Sequence, residues 1–172
     1  RFADMVDAGN GDNLVIGDSG RIRAAGEDVP QFAFMPMTFG KIETTEFDDG
    51  GIDNITTGTG FDIVLGGDEG DFIGVGEGHN IFLGDDGAFI YRGVDLGGNE
   101  AGDDTDASDI DEIVSTSTTV GGGDDEITSG DGQDIIIGGR FNDMVNAGNG
   151  DNLVIGDSGR LAAAALDTVQ QL

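Results

Sequence analysis

The sequence has no cysteine and no tryptophan, one histidine, two prolines and only seven lysines and arginines in 172 residues. Each shortage removes a class of protein. Without cysteine there is no disulfide scaffold, no thiol nucleophile and no thiolate zinc site. A single histidine leaves no multi-histidine metal centre. Two prolines exclude a collagen-like chain. Set against 35 Asp and Glu, the seven cations leave a formal charge of −28. That charge repels phosphates and anionic lipid, so nucleic acid is not an expected partner. No apolar run approaches the ~20 residues of a membrane helix, and no membrane insertion is expected.

What the sequence does have is glycine and aspartate. Glycine occurs 33 times, and the acids divide into 27 Asp and 8 Glu. Surface helices favour Glu, whereas turns and oxygen-ligand metal sites favour Asp. Charge and glycine together resemble disorder, but 37% of residues are hydrophobic and they are regularly spaced.

Internal repeats organise the chain. Residues 1–25 return at 140–164 with 21 of 25 identical, and residues 53–87 return at 125–159 with 16 of 35 identical. The chain reads as about two and a half copies of a ~70-residue unit, a piece of a longer tandem array. Inside each unit is a period of nine. Asp53, Asp62, Asp71 and Asn80 are nine apart, as are Asp125, Asp134, Asp143 and Asn152, and Asp4 and Asn13. Two residues after each comes an aliphatic residue or Phe, from Val6 and Val15 to Val145 and Val154. Glycine stands four residues before nearly all of them, with Asp49 the exception. Glycine also stands two residues before, with Glu69 and Phe141 as exceptions that bring their turns into question. Nine is no helical period, and glycine this dense disfavours helix by about 1 kcal/mol per residue. A three-residue strand with its middle side chain inward, followed by a six-residue turn, satisfies the pattern.

The pattern G-G-x-G-x-D-x-U-x resembles the RTX, or hemolysin-type, calcium-binding nonapeptide; AGNGDNLVI at 147–155 and SGDGQDIII at 129–137 fit it well. The resemblance implies an all-β fold, a right-handed parallel β-roll with two nonapeptides per turn and calcium between stacked turns on each edge. It further implies several Ca2+ ions held by Asp4, Asn13, Asp53, Asp62, Asp71, Asn80, Asp125, Asp134, Asp143 and Asn152, with turn carbonyls completing the 6–8 oxygens calcium takes. Ligands on one edge are then 18 residues apart, as in Asp53/Asp71, Asp62/Asn80, Asp125/Asp143 and Asp134/Asn152. Asn keeps an oxygen but loses the charge, so positions 13, 80 and 152 imply weaker sites. Without the ion the stacked Asp rows repel, so folding and calcium binding are expected to be one event.

The residues flanking each inward position point outwards and alternate in character. Leu14/Ile16, Ile63/Leu65, Ile81/Leu83, Ile135/Ile137 and Leu153/Ile155 give one sheet an apolar outer face. The other face is mixed: Met5/Asp7, Asn54/Thr56, Phe72/Gly74, Glu126/Thr128 and Met144/Asn146. A bare apolar face is an association site, so each unit is expected to cover its own with its aperiodic segment, the alternative being self-association. The expected organisation is a roll end at 1–20, a cover at 21–47, a roll block at 48–87, a cover with an acidic loop at 88–119, a roll block at 120–159 and a truncated cover at 160–172. Phe32, Phe34, Met35, Met37 and Phe39 mark the first cover, and Phe89, Ile90, Tyr91, Ile110 and Ile113 the second.

Two motifs mislead. Gly17-Asp18-Ser19-Gly20 and Gly156-Asp157-Ser158-Gly159 resemble the string around a serine-protease nucleophile, but a triad needs a His base and the one histidine, His79, lies in a repeat turn. Both strings share a repeat position with Gly84-Asp85-Asp86-Gly87, which makes Asp18, Asp85 and Asp157 additional calcium-ligand candidates. The run DDTDASDIDE at 103–112 lacks the EF-hand's Gly at position six and Glu at position twelve and reads as a solvated acidic loop. No enzyme is expected. The resemblance implies a calcium-rigidified structural or adhesive module of a large secreted or surface-anchored bacterial protein, exported by type I secretion. The alternatives are the secretion and folding module of a toxin or hydrolase, and a filament or sheath subunit. An ice-binding ladder is disfavoured, because Thr56 and Thr128 are not continued by Gly74 and Asn146.

Overall fold

The computed structural model describes residues 2–25, 38–91 and 109–163. Fifteen strands and no helix occur among them. In chain order they are β1 (Met5–Asp7), β2 (Leu14–Ile16), β3 (Gly20–Ala24), β4 (Phe39–Thr44) and β5 (Asn54–Thr56). Then come β6 (Ile63–Leu65), β7 (Phe72–Gly74), β8 (Ile81–Leu83), β9 (Gly87–Tyr91) and β10 (Ile110–Ser115). The last five are β11 (Glu126–Thr128), β12 (Ile135–Ile137), β13 (Met144–Asn146), β14 (Leu153–Ile155) and β15 (Arg160–Ala162).

The three-residue strands stack into two parallel sheets. Sheet A has the order β1-β5-β7-β11-β13 and sheet B the order β14-β12-β8-β6-β2. Each nonapeptide contributes one strand, and successive strands alternate between the sheets. The middle side chains face each other across the roll: Val15, Ile55, Val64, Ile73, Phe82, Ile127 and Ile136 form one buried cluster with Val6 and Val145 packed against it. A strand of three residues has too few ladder bonds to persist alone. Its stability comes from this burial, about 1.5–3 kcal/mol for each large side chain taken from water.

The roll is continuous through the interruptions. β7 pairs in parallel with β11, placing Ile73 opposite Ile127, although residues 75–125 lie between the strands. β8 pairs likewise with β12, and β1 and β2 pair with β5 and β6. Both aperiodic segments therefore leave the roll and return one rung further on, without loss of register.

The excursions build the third layer. Sheet C is antiparallel with the order β15-β10-β9-β4-β3, and it draws strands from every unit. Its Phe39, Ile42, Phe89, Tyr91 and Ile113 pack on Ile63, Leu65, Ile81, Leu83 and Ile137, the outward residues of sheet B. The apolar outer face is thus covered by one shared sheet, not by a separate hairpin for each unit. β4 and β10 enter the roll, β3, β9 and β15 leave it, and antiparallel pairing of entering with leaving strands joins neighbouring units. The outer face of sheet A lies open, with Met5, Phe72 and Met144 exposed. Lys41, Arg21 and Arg23 gather on Glu43, and Arg160 pairs with Glu112. These charges mark both edge strands of sheet C, which discourages pairing with foreign strands. The expectations for Phe32, Phe34, Met35, Met37, for the acidic loop up to residue 108 and for the tail beyond 163 lie outside the described residues.

Candidate metal centre

The two edges of the roll carry the two phases of the nonapeptide. The first edge, where the chain passes from sheet B to sheet A, stacks Asp4, Asp53, Asp71, Asp125 and Asp143. Each backbone N–H donates to Oδ1 of the next Asp: Asp4 to Asp53 at 2.8 Å, Asp53 to Asp71 at 2.8 Å, Asp71 to Asp125 at 2.7 Å and Asp125 to Asp143 at 3.1 Å. The sequence separations are 49, 18, 54 and 18 residues, so the 18-residue pairs join into one ladder across both excursions. The second edge stacks Asn13, Asp62, Asn80, Asp134 and Asn152 by the same bond, at 2.9–3.1 Å.

On the first edge Oδ1 is used and Oδ2 is not. Oδ2 of Asp53, Asp71, Asp125 and Asp143 is buried and has no hydrogen-bond partner. Each lies beside a glycine that opens a turn and the carbonyl of another. Asp53 Oδ2 and the Gly66 carbonyl flank Gly17; Asp71 and Gly84 flank Gly66; Asp125 and Gly138 flank Gly84; Asp143 and Gly156 flank Gly138. A methyl group on Gly17 or Gly138 would begin 2.5 or 2.6 Å from the Asp oxygen, inside van der Waals contact. These glycines hold no left-handed backbone; they keep space open.

A buried, partnerless carboxylate oxygen is costly in its charged form. Burial, opposed by the backbone hydrogen bond and reinforced by the neighbouring carboxylates, pushes Asp71 up to about 9 and Asp125 to about 8. Asp53 and Asp143 are raised for the same main reason. A bound cation reverses that preference, and calcium supplies two positive charges with 6–8 oxygen coordination. No three acidic or histidine side chains converge on one point among the described residues. An ion here would therefore be held by Asp53, Asp71, Asp125 or Asp143 together with turn carbonyls such as those of Gly66, Gly84, Gly138 and Gly156. The donor set is all hard oxygen, which suits calcium.

The remaining candidates lie at the same edge. Asp4 is exposed at the end of the ladder and lines a cleft with Asp18, Gly17 and Asp49. Asp18, Asp85 and Asp157 lie in the Gly-Asp-x-Gly turns where the chain leaves the roll for sheet C. Asp18 Oδ2 accepts the Asp68 N–H at 2.8 Å, and burial holds Asp18 at about 6. Asp85 accepts from the Gly123 N–H at 2.9 Å, the Ser117 hydroxyl at 3.0 Å and the Arg140 N–H, joining three segments. Its pKa stands at about 6, raised by burial against those bonds. Asp157 is exposed, and its charge helps to raise Asp143. His79 is exposed, its Nδ1 accepting from the Gln133 N–H at 3.2 Å.

Three buried acids, Asp68, Asp86 and Asp111, lie outside the predicted set. Asp68 accepts the Gly122 N–H at 2.8 Å, and Asp86 is 1% exposed. None occupies the ninefold phase, and Asp68 and Asp86 both lie against Gly121 in the segment that returns to the roll. The turns in question at Glu69 and Phe141 do close. Both residues adopt the left-handed backbone a glycine would take, with φ of 71° and 89°. That conformation costs a non-glycine residue about 1–2 kcal/mol.

The sequence model of the RTX calcium-binding nonapeptide repeat matches in four copies, at residues 1–21, 47–82, 119–145 and 128–160. No curated protein and no solved structure matches the chain significantly. The matched segments contain both ladders and together make up more than half of the sequence. The chain belongs to the RTX calcium-binding nonapeptide repeats and is a calcium-binding repeat module folded as a parallel β-roll.

Proposed function

We propose that this module is a calcium-gated spacer in a large secreted or surface-anchored adhesive protein. The observation that carries this reading is the row of four buried, partnerless Asp oxygens along one uninterrupted ladder. At −28 the metal-free chain repels itself, and its ladder carboxylates would each have to hold a proton in order to bury. The cytosol holds little free calcium, so the chain stays open there. Extracellular modules bind calcium at about 10⁻⁴–10⁻³ M, which matches folding after export. The rung at Asp143 and Asn152 repeats that at Asp4 and Asn13 with an offset of 139 residues, so the architecture extends by translation, as a spacer requires. Cover of the apolar face by sheet C favours a spacer over a filament subunit that assembles through that face.

Titration of calcium into the chelated chain, followed by far-UV circular dichroism with magnesium as control, tests the reading. A cooperative gain of β signal with calcium alone is expected. A chain still fully folded in chelator above pH 8 would overturn the gating.

A further inference from the structure

The edges differ in a way the family pattern does not anticipate. Compare the first residue after each strand, whose N–H donates to the last strand carbonyl of the neighbouring rung. On the first edge these residues are Gly17, Gly66, Gly84 and Gly138, bonding Leu65, Leu83, Ile137 and Ile155. On the second edge the same bond is made by Ala8, Thr57, Val75 and Ser129, and Ala147 begins the last turn. No glycine occurs there. Val75, Ala8 and Ala147 pack into the roll interior, so their side chains fill the volume that the first edge leaves open.

The oxygens differ as well. Asp62 Oδ2 accepts the Thr57 hydroxyl at 2.6 Å, and Asp134 Oδ2 accepts the Ser129 hydroxyl. Asp62 Oδ1 also takes the Asn13 amide at 2.8 Å, and Asp134 Oδ1 the Asn80 amide at 3.0 Å. The Asn amides donate onto turn carbonyls too: Asn13 to Gly9 at 3.1 Å and Gly11 at 2.7 Å, Asn80 to Gly76 at 3.3 Å and Asn152 to Ala147 at 2.7 Å. The ladder fixes the orientation of Asn80 and Asn152, because the Asp62 and Asp134 N–H groups require Oδ1 as acceptor. Carbonyls that a cation would use thus already face N–H donors. Asp and Asn alternate, so no two carboxylates are adjacent on this ladder. None of its carboxylate oxygens is both buried and partnerless.

We propose that calcium loads only the first edge, at the four cradles of Asp53, Asp71, Asp125 and Asp143, and that the second edge is a metal-free ladder in which Asn amides and Thr57 and Ser129 hydroxyls replace the ion. The proposal rests on the calcium-gated reading and departs from the expectation of ions on both edges. The physical reason is that an amide N–H on a carbonyl and a hydroxyl on Oδ2 satisfy locally the oxygens a cation would coordinate, without dehydrating an ion.

The test uses the full chain. Native mass spectrometry counts bound calcium in the unmodified protein, in D71N/D125N and in D62N/D134N, with circular dichroism giving the calcium midpoint of each. The unmodified chain should hold four ions, one for each partnerless ladder Asp. D62N/D134N should keep that count, whereas D71N/D125N should lose ions and shift the midpoint upward about tenfold or more. Because a variant can fail to fold, terbium soaked into crystals of the unmodified chain locates sites independently through its anomalous density. Density at Asn80 or Asn152, or loss of ions from D62N/D134N with the fold intact, overturns the one-edge assignment and leaves calcium gating standing. An unmodified chain that binds no calcium overturns both.

Discussion

At the scale of the residue, this roll assigns one side chain type two tasks. Every ladder Asp or Asn after the first rung accepts the preceding rung's N–H through Oδ1, which sets register. What the rest of the side chain does depends on the residue that opens the turn. Gly84 leaves Asp125 Oδ2 and the Gly138 carbonyl free to face a shared space, and a methyl group there would collide with both. Gly74 ends β7 on the open face of sheet A, where a methyl group would meet only ordinary contacts at 3.7 Å. Gly84→Ala is therefore expected to lose the ion at Asp125 and raise the calcium midpoint, while Gly74→Ala leaves stability within about 0.5 kcal/mol. Calcium-dependent dichroism of the two variants checks this, and equal effects would show that Gly84 does not guard a cradle. The Asp positions were legible in the sequence as a ninefold phase. The difference between the edges was legible only in part: Ala, Thr, Val and Ser open one set of turns, but their meaning needs the hydroxyl-to-Oδ2 bonds.

At the scale of the element, no strand of the roll is long enough to stand alone, and each layer depends on its neighbour. Phe89 in β9 is fully buried between sheet C and sheet B, and Phe82 in β8 is fully buried inside the roll. Phe89→Ala should reduce stability in saturating calcium by about 3–5 kcal/mol, the range for a truncated core aromatic. Urea unfolding measures it, and an unchanged midpoint would mean that sheet C is not docked. The sequence announced the outer face of sheet B through the Ile and Leu pairs and its inner face through the residue between them. It also placed apolar residues in the covers, but it pointed to one cover for each unit. The shared sheet arises because β4 pairs with β9 and β10 with β15, strands on either side of a roll block. Sequence periodicity carries no information about partners that far apart.

At the scale of the whole molecule, charge decides when the fold exists. Asp71 and Asp125 have folded pKa values of about 9 and 8, raised chiefly by burial, whereas a free Asp titrates near 3.9. For an acid raised on folding, the folded state holds more protons over that interval, so metal-free stability falls as pH rises. The contribution is full below about pH 4 and is lost as pH climbs through 8 to 9. Glu43 has the opposite sign: burial raises it, but hydrogen bonds and charge from Lys41 and Arg21 outweigh that and lower it to about 2, so its contribution fades in acid. Its surroundings are more solvated than the ladder's, and the ladder dominates. Acid should therefore replace calcium in part. In chelator, β signal is expected near pH 4 and should fade towards pH 8, with calcium restoring it and releasing protons. A metal-free fold that strengthens with rising pH would contradict this account of the ladder.

The sequence by itself determined the rung. Period nine, Asp or Asn at one phase, an inward aliphatic two residues later and glycines in the turn specify a short strand and its bend, because all of these are local preferences. The tertiary structure decided the rest: that excursions return in register to make one ladder from separate blocks, that strands from every unit share a cover, and that one row of carboxylates is left partnerless while the other is answered by hydroxyls and amides. The ladder across the excursions and the Asn amide bonds to Asp62 and Asp134 join residues 49 or 54 positions apart, and the five-residue hydroxyl bonds complete that pattern; these hydrogen-bond demands are settled only when the rungs are stacked.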